Sequence, residues 1–193
     1  MKKLLLSSAV LLAISSAAPA QQAPEEIQEL LLAFLDEEIR AWAEVDVLTD
    51  AIRAQNEVTR DYTQERIDSL DAAWQASVGT PDIAVIADVV QNDAADYLRQ
   101  QVEQSYGMVS EVFVMDARGL NVAASQPTSD YWQGDEDKYI STFMRGSDAV
   151  HMSDIEYDDS TQSYLAQLSF TINDPETGDP IGAITVGVDA SLF

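Results

Sequence analysis

Between Pro24 and Ser77 the chain carries no glycine and no further proline, and its apolar positions fall on a helical period. Leu35, Ile39, Trp42, Leu48, Ile52, Ile67, Leu70 and Trp74 recur mostly at intervals that return every third or fourth residue to one face, which predicts a long amphipathic helix. Pro24-Glu25-Glu26 suits its N-terminus, where proline costs no hydrogen bond and acidic groups meet the positive end of the helix dipole. Polar Asn56 and Thr59 interrupt the stripe midway. Gly79-Thr80-Pro81 stops the pattern, and residues 82–105 continue as two shorter helices, the second capped at Asn92 or Asp93.

After Gly107 the period changes to two. Residues 109–116 (VSEVFVMD) and 120–125 (LNVAAS) flank an Arg118-Gly119 turn and predict a hairpin. A polar stretch over 126–147 follows as a helical crossing. Three more candidate strands then occupy 150–155, 163–173 and 181–189, with turn-forming residues at Asp158-Asp159-Ser160 and Glu176 to Pro180. The fold class is α+β: a long N-terminal helix packed on a five-stranded antiparallel sheet.

The first twenty residues stand apart. Lys2 and Lys3 precede an apolar run over 4–14 that is too short to span a bilayer, and Ala18-Pro19-Ala20 supplies small residues for cleavage. This is the layout of a secretory signal peptide, so the expected division is leader 1–20, helix 21–79 and sheet domain 80–193, in a periplasmic or secreted protein. The 193 residues carry 10 basic and 34 acidic side chains. Cleavage leaves eight basic against 34 acidic, a charge of −26, and Lys138 as the one remaining lysine. Such a charge excludes nucleic acid and anionic membrane surfaces as partners and fits a solvated exported surface. Without cysteine there is no disulfide, thiolate metal site or thiol nucleophile.

No nucleophile elbow, Walker loop or zincin helix is present, and His151 is the only histidine, so no catalytic set is assigned and no enzyme is expected. The acidic runs near 130–137 and 154–159 do not match the EF-hand spacing. They are read as solvated loops, with no metal or cofactor assigned.

Residues 112–125 (VFVMDARGLNVAAS), 153–158 (SDIEYD) and 180–189 (PIGAITVGVD), in that order, resemble an extracytoplasmic PAS-like sensor domain of the Cache type over about residues 90–193. The resemblance implies a PAS-like sheet and a small-metabolite pocket between the sheet and the connection from strand two to strand three, here Thr128 to Glu136. It implies ligand contacts from Asp130, Tyr131, Trp132 and Asp135, with Gln167 on the facing strand. Amino-acid-binding members place an arginine just before the tryptophan. Ser129 and Asp130 stand there instead, which favours a neutral or cationic metabolite unless Lys138 or Arg145 swings in. Relatives also sit between membrane helices and signal to a kinase or chemoreceptor, whereas no such helix follows residue 189. The expected function is an exported sensory module reporting to a membrane-bound partner, with homodimerisation through the N-terminal helix left open. The alternative is a structural or interaction protein that dimerises or docks through its long helix.

Sequencing the N-terminus of protein from the extracytoplasmic fraction should return Gln-Gln-Ala-Pro. An intact Met1 on membrane pellets would refute the leader.

Overall fold

The computed structural model describes residues 25–80, 84–158 and 163–193. The expected leader lies outside these, as does part of the turn expected at 158–160. Among the described residues seven α-helices run in chain order: α1 (Glu25–Phe34), α2 (Arg40–Ala43), α3 (Asp46–Thr59), α4 (Gln64–Ser77), α5 (Ala84–Val90), α6 (Asp93–Gln104) and α7 (Asp137–Ile140). The strands are β1 (Val109–Asp116), β2 (Asn121–Ala124), β3 (Val150–Met152), β4 (Glu156–Asp158), β5 (Ser163–Asn173) and β6 (Pro180–Asp189). No helix among the described residues is long and apolar enough to cross a membrane.

The sheet is antiparallel in the order β2-β1-β6-β5-β3, with β4 also paired to β5. There are thus five strand positions, the outermost shared by two short strands. The single strand expected over 150–155 is only three residues long, and β4, a stretch expected to be turn, follows it on the same edge.

The expected arm is helical but not one rod. Leu31, Leu35, Ile39 and Ala43 are all buried at a four-residue spacing, which drifts about 40° per step around an α-helix. A wider π-type turn at Leu35–Ile39 takes up that drift. The chain then bends at Val45, whose backbone is extended, and again after Thr59. The second break is marked by Thr63, whose hydroxyl accepts from the Arg66 amide and caps α4.

The stripe on α1 to α3 is buried on the sheet together with α6. Ala166, Leu168, Phe170 and Ile172 of β5 and Ile184, Val186 and Val188 of β6 form the sheet's side of that core. The interrupting polar residues of α3 prove to be its fasteners. Asn56 donates to the Ile181 carbonyl and accepts from the Ala117 amide, each at 2.8 Å. The fully buried Asp116 carboxylate accepts from Gln55 and Thr59 on α3, and from the Arg118 and Leu120 amides of its own turn. At the other end, Arg53 grips Asp174 in the β5–β6 turn through two bonds of 2.7 and 2.8 Å. That guanidinium holds the Asp174 carboxyl well below the usual carboxylate range.

Phe170→Ala should cost about 3–5 kcal/mol, since a core ring leaves a cavity behind. Its neighbour Thr171 is buried with a hydroxyl that finds no partner in the structure, so Thr171→Val should stabilise by about 1 kcal/mol. Urea melts decide both, and similar small losses in the two variants would show that the strand's faces are misassigned. Asp116→Ala strands four donors and should cost about 3 kcal/mol or more; a melt within error of the parent would remove the carboxylate from its anchoring role.

Candidate functional site

The sheet's second face changes character along its length. Toward β2 it is apolar: Phe113, Met115, Ala124 and Ala183 pack against Trp74, Ile86, Val89 and Tyr139. Further along, Ser169 and Thr185 are buried and share a hydrogen bond of 3.0 Å. Beyond them the face opens into a half-open cavity of about 1040 Å³, floored by Ser110, Glu111, Gln167 and Gly187. That is the upper end of the usual size for small-molecule sites, about 300–1,000 Å³.

A one-residue irregularity builds this floor. The β1–β6 register slips between Val109 and Glu111, so Ser110 and Glu111 together stand opposite Gly187. A bulge of this kind re-aims side chains. A β-carbon on Gly187 would sit 2.8 Å from both the Glu111 side chain and the Ser110 hydroxyl. Only glycine leaves room for these two side chains to lie across the strand. Gln167 then donates to Glu111 at 3.3 Å and fixes it on the floor.

The walls come from two connections. Asp135 to Lys138, at the start of α7, forms one, and the segment from His151 to Tyr157 forms the other. Six lining carboxylates belong to Glu111, Asp135, Glu136, Asp137, Asp154 and Glu156. Against them stand His151 and Lys138. The Lys138 side chain is only 14% exposed, with its ammonium 2.7 Å from Glu136, 3.3 Å from the Gln133 amide oxygen and 5.5 Å from the centroid of Phe113. Among the described residues no three His, Asp or Glu groups converge as a metal site.

The residues expected to form the site are divided between the cavity and its support. Asp135 and Gln167 line it together. Tyr131 stacks on Trp74 at 5.6 Å, and burial lifts its phenol well above the ordinary tyrosine range. The Trp132 indole donates to the Arg118 carbonyl and lies against Gly134, with Asp130 beside it on a groove facing α4. Asp130 accepts from Gln75 of α4 at 2.7 Å. The Asp71 carboxylate takes the amides of both Tyr131 and Trp132, at 2.8 and 3.0 Å, and the Trp74 indole donates to the Thr128 carbonyl. Helix α4 therefore clamps the connection, whose continuation at Asp135 and Glu136 separates the α4 groove from the cavity.

Glu111 and the bulge beneath it were not singled out from the sequence, although a signal was there. In residues 109–116 the core-facing Val109, Val112 and Val114 are spaced by three and then two, which a regular strand does not allow.

No family model and no curated protein matches the chain. Among solved structures it is similar to the ligand-binding domain of the Campylobacter jejuni chemoreceptor Tlp3 in complex with L-valine, with 14% identity over 86% of this chain and 64% of that one and a TM-score of 0.39. It is also similar to the sensor domain of the Vibrio cholerae histidine kinase DctB, with 13% identity, 86% and 58% coverage and a TM-score of 0.38. A third is the ligand-binding domain of the Pseudomonas aeruginosa amino-acid chemoreceptor PctC in complex with GABA, with 15% identity, 83% and 61% coverage and a TM-score of 0.42. The chain spans a little under two thirds of the length of such domains. The three are ligand-binding domains of two chemoreceptors and the sensor domain of a histidine kinase.

Proposed function

We infer that this chain is an exported sensory module that binds a small metabolite and reports it to a membrane-bound kinase or chemoreceptor. The observation that carries this is the cavity of about 1040 Å³ on the polar face of the sheet, walled by the connection from β2 to β3. An enclosed core has no use for a floor of Glu111 and Gln167, whereas a ligand site needs a few fixed polar groups within an otherwise shaped wall. Asp135 and Gln167 are assigned to ligand contact, and Asp130, Tyr131 and Trp132 to holding the wall against α4. The metabolite is neutral or cationic, because the single lysine of the wall is already paired with Glu136.

The alternative, an interaction protein built around its helical arm, draws less support. The apolar stripe that a coiled coil would use is buried on the sheet from Leu31 through Ile52.

A thermal-shift screen of the exported chain against a metabolite panel tests the inference. A ligand at 100 times its dissociation constant should add about 2.7 kcal/mol of stability. Gln167→Ala should abolish the shift while leaving the melting temperature of the free protein nearly unchanged. A panel without a single hit, or a hit indifferent to Gln167, would sink the assignment.

A further inference from the structure

We propose that the ligand of this cavity is an uncharged polyhydroxylated metabolite, a sugar or a polyol, read through its hydroxyl groups by Ser110, Glu111 and Gln167. This rests on the cavity being the ligand site inferred above, and it narrows the chemistry of what binds there.

The half-buried polar groups of the floor converge. The position that a β-carbon of Gly187 would occupy lies 2.8 Å from Ser110 Oγ and 3.3 Å from Glu111 Oε1, and Gln167 Nε2 reaches the same Glu111 oxygen at 3.3 Å. Two features of the backbone make this possible. The bulge brings Ser110 to the floor, and the glycine opposite leaves the space between the side chains empty. The carboxylates of the walls are mostly exposed and keep their own hydration, whereas these three residues are only partly open to solvent.

Together they form a mixed set of donors and acceptors. The Glu111 carboxylate only accepts, the Ser110 hydroxyl both donates and accepts, and the Gln167 amide has an acceptor oxygen and a second N–H besides the one given to Glu111. Among the described residues no hydrogen bond engages the Ser110 hydroxyl, and the bond to Glu111 is the only one that the Gln167 side chain makes. A matching ligand offers donors and acceptors side by side. An ammonium has three donors and no acceptor, so it leaves the hydroxyl proton and the second Gln167 N–H without a ligand partner. A carboxylate only accepts, and it meets Glu111 as repulsion. Neighbouring hydroxyls match the set, because each can donate to Glu111 in a charge-assisted bond while accepting from Ser110 or Gln167.

The rest of the cavity suits the same class. About 1040 Å³ holds a ring with its hydroxyls. A hydroxyl that faces either wall takes the place of a water on an exposed carboxylate, so no charge has to be stripped of solvent or neutralised. The wall's lysine stays paired with Glu136. Tyr157, half exposed at the rim and tilted against Tyr164 with ring centroids 5.1 Å apart, offers an aromatic surface to the apolar side of a sugar ring.

Calorimetry on the exported chain with glucose, galactose, ribose, myo-inositol, putrescine, succinate and acetamide tests the class. At least one of the hydroxylated probes should bind, with a Kd that added sodium chloride leaves unchanged, and the other three should give no heat. For the best binder, Glu111→Gln should raise the Kd about tenfold and Ser110→Ala about fivefold, each the loss of one hydrogen bond. Glu37→Gln, on the exposed side of the π-type turn, should leave it unchanged. Melts of the free variants that match the parent show that the folds are intact. Among the monodeoxy forms of the best binder, the one lacking the hydroxyl held by Glu111 should bind the parent protein about tenfold more weakly and should bind Glu111→Gln as it binds the parent. Binding that ignores both Ser110 and Glu111, or monodeoxy forms that all bind as well as the full compound, would overturn the proposal. If putrescine, succinate, acetamide or another metabolite without neighbouring hydroxyls binds through Gln167 while the hydroxylated probes are inert, the polyol class fails and the sensory function stands. If neither these probes nor a broad metabolite panel binds, both fall.

Discussion

One buried carboxylate ties the helical arm to the hairpin of the sheet. Asp116 ends β1 with no solvent exposure, and an unpaired charge there would be prohibitive. Its two oxygens are shared between two tasks. Oδ1 takes the Arg118 and Leu120 amides, which closes the tight turn into β2, and Oδ2 takes Gln55 and Thr59, which seats α3 on that turn. Once the turn is closed, Gly119 can pack against the backbone of Gly134, where any side chain on either glycine would collide. The Asn121 amide then donates to the Tyr131 carbonyl and the Gln133 amide to the Gly119 carbonyl, so the edge of β2 is covered by the connection instead of being left open. A single ionised group thus fixes the arm, the hairpin and the loop that later walls the cavity.

The two faces of the sheet obey different rules. Under α1 to α3 and α6 the face is dry and regular, as strand alternation and hydrophobic burial require. The opposite face turns polar at Ser169 and Thr185 and opens at the Ser110–Glu111 bulge over Gly187. A bulge costs a ladder hydrogen bond and is retained where it re-aims a side chain. Here it brings Ser110, which regular alternation would send into the core with Val112 and Val114, onto the cavity floor beside Glu111 and Gln167.

Much of this was legible in the sequence, and the parts that were not share a cause. The ranges of β1 and β5 read directly from the chain because both are runs rich in β-branched and aromatic residues bounded by turn residues. The α+β class followed from the switch of period after Gly107. The breaks in the arm were hidden, because neither glycine nor proline marks them and only the Thr63 cap gives one away. The role of Tyr131 and Trp132 was not decidable locally. Aromatic residues in an acidic loop suit a ligand or a core equally well, and what decides is Asp71 and Trp74, about sixty residues earlier in the chain. The sequence shows that such residues exist but not that α4 brings them to that loop.

The distribution of charge gives the last step. Most of the chain's 34 acidic residues are explained by solvation, since exposed carboxylates far from one another are screened within about 8–10 Å at ordinary ionic strength. Around the cavity Asp135, Asp137, Asp154 and Glu156 are themselves exposed, so solvent moderates the repulsion among them, and Glu111 on the floor is the half-buried exception. The fold had a simple way to lower that repulsion, by placing more of its seven arginines along the cavity wall. Instead those arginines serve the arm and its turns, as Arg53 does at Asp174 and Arg118 does at the Tyr62 carbonyl, and only Lys138 enters the wall. Natural sequences violate electrostatic consistency mainly at functional sites.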